Sequence, residues 1–172
     1  MIITLIGFPA SGKTKLGRAL AEKLDYKFLD TDELIEKNCG EPLQKTVDKM
    51  TRKSFQELEE NTILSIKNAE DTVISTGGSV IYSKKAMDYL KEISKVVYLK
   101  RSFGECYKKI KNKPDRGVVG MDPNLTFKQN IKRLYEERYP LYMQYAHIIF
   151  KREERSDIDA DKLIKILKIN SS

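Results

Sequence analysis

Apolar and amphipathic stretches alternate along most of this chain. Five short runs rich in apolar side chains have the length of buried strands: residues 2–6, 26–29, 72–75, 96–99 and 147–150. Three stretches between them place apolar side chains at helical spacing: residues 13–24, 86–93 and 126–145. This alternation predicts an α/β fold of three layers, α/β/α, in which helices cover both faces of a parallel sheet.

Two regions interrupt the alternation. Residues 31–67 are mostly polar and helical in pattern, which predicts helices that lie beside the sheet and carry a substrate. Residues 111–124 contain two glycines, two prolines and few apolar side chains, so we expect a mobile surface loop, or lid. Because no repeat, low-complexity tract or linker divides residues 1–172, we predict a single domain.

Basic side chains outnumber acidic ones, but they do not cluster. The 172 residues include 32 lysines and arginines against 25 aspartates and glutamates, a formal net charge of +7. The sequence has no basic tail and no alternation of basic and aromatic residues, which disfavours nucleic acid as the main partner. A spread positive charge suits a small anionic ligand, because it raises the local concentration of phosphates and carboxylates.

The sequence pattern disfavours secretion, membrane insertion and a zinc site. The apolar run at residues 2–6 is far too short to span a bilayer, and no signal-peptide pattern is present. Cys39 and Cys106 are isolated, and the chain has one histidine, so neither a disulfide framework nor a zinc-ligand spacing occurs. We therefore expect a reduced, cytoplasmic protein without contact to membranes.

Residues 7–14, GFPASGKT, match the phosphate-loop pattern G-x-x-x-x-G-K-[ST] between a predicted strand and a predicted helix. Gly7 and Gly12 allow a tight turn that aims backbone N–H groups at phosphate oxygens. Lys13 reaches the β- and γ-phosphates, and the Thr14 hydroxyl suits Mg²⁺. The predicted site for the nucleotide, ATP, comprises Gly7, Ala10, Ser11, Gly12, Lys13, Thr14 and Lys15.

Two aspartates follow the second predicted strand, where ligands of parallel sheets bind. One of the pair, Asp30 and Asp32, can hold Mg²⁺ through water, and the other can accept a proton from a substrate hydroxyl. A simpler interpretation is that Asp32 caps a helix beginning at Glu33. After the third predicted strand, Gly77 and Gly78 allow a ligand to approach the backbone closely, although a turn alone also explains them.

These residues together resemble the shikimate kinase family over about residues 2–150. The phosphate loop is followed by the family's F-x-D-x-D segment, here Phe28, Asp30 and Asp32. The resemblance implies a P-loop kinase fold of the nucleoside-monophosphate-kinase type, with a five-stranded parallel sheet. It also implies transfer of the γ-phosphoryl group of ATP to a hydroxyl of shikimate, with Mg²⁺ as the metal.

The same resemblance assigns roles to individual residues. Asp30 is linked to Mg²⁺ together with Thr14, and Asp32 contacts the substrate hydroxyl. Arg116 matches the lid arginine and stabilises charge on the transferred phosphoryl group. The motif R-x-P-L-Y begins at Arg138, which clamps the substrate carboxylate. The substrate-binding set is therefore Asp32, Gln56, Gly77, Gly78 and Arg138, and the catalytic set is Lys13, Asp32 and Arg116.

The sequence departs from the family pattern at three places. Gln56 stands where the family's F-R-x-x-E motif has arginine, and losing a charge-assisted hydrogen bond there costs about 1.5–3 kcal/mol. Arg52, one helical turn earlier, is our hypothesis for the replacement charge. Ser79 follows two glycines where the family has three, and the lid reads RGVVG from Arg116, a looser sequence than the family's.

The leading interpretation is an ATP-dependent shikimate kinase that acts as a monomer in aromatic amino-acid biosynthesis. Two alternatives stay open: a related kinase for another carboxylated or sugar-like acceptor, suggested by Gln56 and Ser79, and a nucleotide-binding regulatory protein without turnover. By the same resemblance Arg152 stacks on the adenine ring, although a solvated turn explains that segment equally well. We interpret His147 as a structural residue.

Overall fold

The protein is built on a five-stranded sheet in which every pairing is parallel. A computed structural model describes residues 1–67, 69–113, 118–153 and 155–168. The strands are β1 (Ile2–Ile6), β2 (Lys27–Asp30), β3 (Thr72–Ser75), β4 (Lys95–Lys100) and β5 (Ile148–Lys151). Their order across the sheet is β2-β3-β1-β4-β5. The predicted α/β class and parallel sheet are confirmed.

The described part of the chain also contains eight helices and one 3₁₀ turn; the last helix follows the last strand, and the others lie between strands. The helices are α1 (Lys13–Leu24), α2 (Thr31–Cys39), α3 (Leu43–Lys49), α4 (Arg52–Leu64), α5 (Lys84–Ile93), α6 (Phe103–Lys111), α7 (Phe127–Tyr145) and α8 (Ser156–Leu167). The 3₁₀ turn, Val80–Tyr82, lies between β3 and α5. Within the ranges described, none of the helices is long and apolar enough to cross a bilayer.

Each face of the sheet has its own apolar core, because side chains alternate along a strand. Val97 and Leu99 of β4 belong to the core beneath α1 and α8, while Val96 and Tyr98 belong to the core beneath α5, α6 and α7. The chain leaves β1 toward the first of these faces, through α1, and leaves β3 toward the second, through α5. The crevice between the carboxyl ends of β1 and β3 is therefore where a ligand is expected.

Most predicted elements occur with boundaries shifted by at most two residues. The strand at 72–75 and the helix at 13–24 have the predicted bounds, and Thr126 is the N-cap of α7 rather than its first residue. Helices α6 and α8 are absent from the sequence interpretation. The first had a readable signal, since Ser102 and Glu105 form a capping box in which each side chain accepts from the other's backbone N–H.

Residues 31–67 contain α2, α3 and α4, which form a small separate core. This core includes Ile35 and Phe55, together with Val119 from the predicted lid, 5% exposed. In the structure, hydrogen bonds hold residues 120 and 119 of the predicted lid to α7. Their backbone is bound by side chains of α7, as Arg138 Nη2 donates to the Val119 carbonyl at 2.7 Å. Arg116 and the rest of 114–117 lie outside the described residues, so the lid's mobility stays a prediction.

Candidate active site

A cavity of about 660 Å³ opens at the crevice between the carboxyl ends of β1 and β3. One end is formed by the phosphate loop and the last turn of α6, and the other by α2, α4 and the glycine turn after β3. Nine predicted site residues line this cavity: Ala10, Gly12, Lys13, Thr14, Lys15, Asp32, Gly77, Gly78 and Arg138. Residues far apart in the sequence thus meet at the edge of the sheet that the strand pattern indicates.

The phosphate loop is shaped by Gly12, which has a left-handed conformation with φ of 95°. A Cβ on Gly12 would lie 2.8 Å from Nη1 of Arg152, so the loop requires glycine for space as well as for conformation. The same Arg152 Nη1 donates to the Gly12 carbonyl at 2.6 Å. The loop therefore rests on a guanidinium from the far end of the chain.

Arg152 is buried, and its guanidinium makes hydrogen bonds through Nη1 and Nη2 and an ion pair through Nε. Nη2 donates to Ser156 Oγ at 2.6 Å, and Nε lies 3.3 Å from Oδ2 of the fully buried Asp159. These contacts show that Arg152 supports the phosphate loop. Its predicted stacking on adenine stays a prediction, and it does not line the cavity.

Lys13 begins α1 with its side chain folded back over the loop. Nζ donates to the carbonyls of Gly7 at 2.8 Å and Phe8 at 3.3 Å. Burial lowers the pKa of Lys13, whereas the carboxyls of Asp32 and Asp30 act in the opposite direction. The ammonium group is thus held at the floor of the cavity, and a phosphate can take over the hydrogen bonds that the carbonyls now receive.

The structure separates the two aspartates by role. Asp30 is the N-cap of α2, since its Oδ1 accepts from the backbone N–H of Asp32 at 3.0 Å. Its Oδ2 accepts from the Thr14 hydroxyl at 2.8 Å. The interpretation of Asp32 as the cap of a helix starting at Glu33 is therefore wrong, and the Asp32 carboxyl is directed into the cavity.

Asp32 carries a strongly perturbed carboxyl group. Its burial, with the charge of Asp30 as a second cause, raises its pKa to about 7, while Lys13 opposes the shift. A carboxyl with a pKa near neutrality can both accept and release a proton under ordinary conditions. That property fits the predicted role of accepting a proton from a substrate hydroxyl.

The glycine turn after β3 brings backbone close to both ends of the site. The N–H of Gly77 donates to Thr31 Oγ1 at 3.1 Å, and a Cβ at Gly77 would lie 2.8 Å from Asp32 Oδ1. A Cβ at Gly78 would lie 2.8 Å from Pro9 of the phosphate loop. Gly78 is therefore needed for space against the rigid Pro9 ring, whereas a Cβ at Gly77 would displace the carboxyl groups of the acceptor end.

Arg138 is the most buried charged residue of the cavity wall, at 1% exposure. In addition to its bond to the Val119 carbonyl, its Nε donates to the Tyr82 hydroxyl at 3.2 Å. Nη1 lies 3.3 Å from the point that a Cβ on Gly78 would occupy. This edge of the guanidinium faces the acceptor end of the cavity, where it can bind an anionic group.

Gln56, the departure from the family motif, and Arg52, the hypothesised replacement charge, do not line the cavity. Gln56 is half-buried on α4. The Arg52 guanidinium lies over the Tyr82 ring, 4.6 Å from its centroid, and pairs with Glu137 at 2.8 Å. Because Tyr82 also contacts Arg138, Arg52 is two contacts from the cavity, and its role as a replacement charge stays a prediction.

The cavity wall also contains residues outside the predicted site set. Glu59 and Ser79 line its acceptor end, and Lys109, Asn112 and Lys113 line its other end. Glu59 had a signal, because it is the last residue of the F-x-x-x-E segment that contains Gln56. Asn112 and Lys113 fall within the predicted lid, whereas Lys109 lies on α6, a helix that was not predicted. Of the remaining predicted residues, Gly7, Ser11 and Asp30 do not line the cavity.

Comparisons with known proteins point to one family. A sequence profile for shikimate kinase matches residues 9–168. The shikimate kinase of Sulfurihydrogenibium sp. is 36% identical over 166 residues, which cover 95% of this chain and 96% of that protein. The shikimate kinase of Paracidovorax citrulli is 33% identical over 160 residues, which cover 92% and 86% of the two chains.

Solved structures agree with the sequence relatives. Shikimate kinase from Acinetobacter baumannii in complex with shikimate superposes with a TM-score of 0.88 at 26% identity, covering 97% of this chain and 92% of that one. Deoxyadenosine kinase from M. mycoides, at a TM-score of 0.60 and 15% identity, covers 98% and 99% and shares the fold alone. The predicted P-loop kinase architecture is confirmed, and the chain belongs to the shikimate kinase family.

Proposed function

We propose that this protein transfers the γ-phosphoryl group of ATP to a hydroxyl of shikimate. The observation that carries the proposal is the convergence of Lys13, Asp32 and Arg138 on one cavity. A phosphate-binding cation, a carboxyl of near-neutral pKa and a buried guanidinium together suit phosphoryl transfer to a hydroxy acid. Membership of the shikimate kinase family supports the choice of acceptor.

The phosphate end of the cavity binds the nucleotide. Backbone N–H groups of the loop and the first turn of α1 point at the phosphates, and Lys13 neutralises the charge of the transferred group. Arg152 keeps the loop in this shape through the Gly12 carbonyl. Arg116, which lies outside the described residues, remains our proposal for a cation that closes over the γ-phosphate.

Thr14 and Asp30 suit Mg²⁺. The Thr14 hydroxyl and the Asp30 carboxylate are adjacent at the phosphate end, and Mg²⁺ is usually bound by one or two protein oxygens plus phosphate oxygens and water. Among the residues described, no group of three acidic, cysteine or histidine ligands occurs, which is consistent with a metal held largely by the nucleotide. When bound, Mg²⁺ neutralises charge on the β- and γ-phosphates.

The acceptor end orients the hydroxyl that is phosphorylated. Asp32 accepts its hydrogen bond and takes up its proton as the oxygen bonds to phosphorus, and ADP leaves. Arg138 binds the acceptor's carboxylate through the edge that faces Gly78. Val119 shares a small apolar core with Phe55, which lines this end of the cavity.

The test is shikimate-dependent release of ADP from Mg·ATP, with quinate, gluconate and no acceptor as controls. We expect saturable turnover with shikimate, and loss of turnover with retained ATP binding in Asp32→Asn. Turnover with another acceptor but none with shikimate would select the related kinase suggested by Gln56 and Ser79. ATP binding without transfer to any acceptor would select a regulatory protein and refute the proposal. Cytoplasmic location and a monomeric state stay predictions from the sequence.

A further inference from the structure

Tyr82 lies beside the arginine of the acceptor end but does not itself line the cavity. It is the last residue of the 3₁₀ turn Val80–Tyr82, and its hydroxyl makes two hydrogen bonds to α7. The hydroxyl donates to Oε1 of Glu137 at 2.6 Å and accepts from Nε of Arg138 at 3.2 Å. Tyr82 therefore joins two adjacent residues of one helix, the second of which is proposed to bind the acceptor.

The direction of these two hydrogen bonds follows from the chemistry of the three groups. A guanidinium only donates, an ionised carboxylate only accepts, and a phenol has a single proton to give. Burial acts to raise the pKa of Glu137, but the hydrogen bonds from Tyr82 and Arg52 outweigh it and hold that pKa below its usual value. The Tyr82 proton is consequently committed to an ionised Glu137, and its oxygen is left to accept from Arg138.

The Arg138 guanidinium is restrained by rings as well as by hydrogen bonds. Its Cζ lies 5.4 Å from the centroid of the Tyr82 ring and 5.7 Å from that of Phe8 in the phosphate loop. The hydrogen bonds to Tyr82 and to the Val119 carbonyl use Nε and Nη2. With those two nitrogens held, Nη1 is directed toward Gly78 at the acceptor end of the cavity.

We propose that Tyr82 is a positioning residue for the acceptor, whose hydroxyl fixes Arg138 so that its Nη1 edge meets a carboxylate. The inference rests on the proposed function, since it deepens the description of the same acceptor site. Without the hydroxyl, the buried Nε–H loses its acceptor, and the guanidinium can turn from Gly78 toward the Glu137 carboxylate. Tyr82 thereby sets how strongly the site prefers an acceptor that carries a carboxylate.

The first test compares the wild type with Tyr82→Phe, which keeps the ring and removes only the hydroxyl. We expect the KM for shikimate to rise about tenfold, with kcat and the KM for ATP within about twofold, because the guanidinium is no longer held toward the carboxylate. Shikimate methyl ester lacks the anionic group. Its kcat/KM, or its inhibition constant where it is not turned over, should change less than about twofold, so the preference for shikimate over its ester should fall about tenfold.

Tyr89 provides a matched control. Its hydroxyl donates to the Ile66 carbonyl, so Tyr89→Phe also removes one partly buried tyrosine hydrogen bond, on α5 and outside the cavity wall. We expect the two variants to lower the melting temperature similarly, and Tyr89→Phe to keep the wild-type preference for shikimate over its ester. An equal loss of preference in both variants would mean that a general loosening of the fold causes it, which would overturn the proposal.

A measurement on the protein without acceptor keeps the two proposals separable. The nitrogen NMR signal of the Arg138 Nε–H group, assigned by its loss in Arg138→Lys, should shift and exchange faster with water in Tyr82→Phe than in the wild type. An unchanged signal would overturn the role of Tyr82 whether or not shikimate is turned over. So would equal losses of affinity for shikimate and for its methyl ester. Absence of shikimate turnover in the wild type would refute the proposed function instead.

Discussion

The two ends of the cavity are built in different ways. The phosphate end comes mainly from one continuous segment, residues 7–14, whose backbone N–H groups and Lys13 do the binding. The acceptor end is assembled from side chains on separate elements: Asp32 from α2, Glu59 from α4, Ser79 from the turn after β3 and Arg138 from α7. A phosphate site can therefore be encoded locally, whereas the acceptor site exists only when four elements meet.

The two ends also differ in how charge is managed. At the phosphate end, the ammonium of Lys13 has backbone carbonyls as partners, which a phosphate can replace without leaving a buried charge unpaired. At the acceptor end, the carboxyls of Asp32 and Glu59 have pKa values raised by burial to about 7 and about 8. Changes at the first end should therefore act on catalysis. Changes at the second end should act on acceptor affinity and pH dependence, except at Asp32, which also takes up the proton in the proposed reaction.

Replacement of Lys13 should have the largest effect. Lys13→Met keeps much of the apolar stem but removes the ammonium charge that neutralises the transferred phosphoryl group. We therefore expect kcat to fall about 10²- to 10³-fold. Steady-state kinetics at saturating shikimate measure this. Lys15→Met, at the neighbouring exposed lysine, is the control and should lose far less activity. Equal losses in the two variants would contradict the local assignment of the phosphate end.

Arg138→Lys should affect the acceptor end of the cavity without affecting the phosphate end. A lysine has one compact ammonium group and cannot keep the bonds to the Tyr82 hydroxyl and the Val119 carbonyl while binding a carboxylate. We expect the KM for shikimate to rise about 10- to 100-fold, with the KM for ATP nearly unchanged. A parallel rise in both KM values would mean that Arg138 supports the whole cavity and is not specific to the acceptor.

Glu59→Gln should make the protein without substrate more stable, increasingly so at high pH. The folded-state pKa of Glu59 lies above its unfolded value, so the unfolded chain loses the proton first and stability falls as the pH rises from about 4 to about 8. Glutamine has no proton to lose and can still accept from the Ser79 hydroxyl. Between pH 5.5 and 8.5, the advantage of the variant in melting temperature should grow by several degrees. An advantage independent of pH would contradict the raised pKa.

Arg52→Ala should have the smallest effect. The Arg52–Glu137 pair is partly exposed, and such pairs contribute about 0–1 kcal/mol. We expect the KM for shikimate to rise by no more than about fivefold, through the contact of Tyr82 with Arg138. An unchanged KM would end the hypothesis that Arg52 replaces the charge missing at Gln56, and a rise well above tenfold would place Arg52 in the acceptor site itself.

The sequence could predict those parts of the protein whose interactions are local. The strand pattern identified the parallel sheet, and residues 7–14 identified the phosphate site, because a turn and a helix start bind through their own backbone. Helix α8 was not predicted. Its Asp159 pairs with Arg152 beneath the phosphate loop, but the local sequence pattern does not indicate that contact. The glycines and prolines of residues 111–124 predicted a lid, but they could not indicate the hydrogen bonds that residues 119 and 120 receive from α7, because those bonds come from another element.

The sequence by itself determined the fold class, the phosphate loop, the aspartate pair and the family motifs. The tertiary structure alone decided that Asp30 is the cap while Asp32 is free, that Arg152 supports Gly12, and that Tyr82 joins Glu137 to Arg138. The physical reason is that buried charges need partners, and the partners in this protein come from residues as many as 140 positions away in the sequence. Residue types and spacing give the chemistry available, and packing decides which groups are left free to use it.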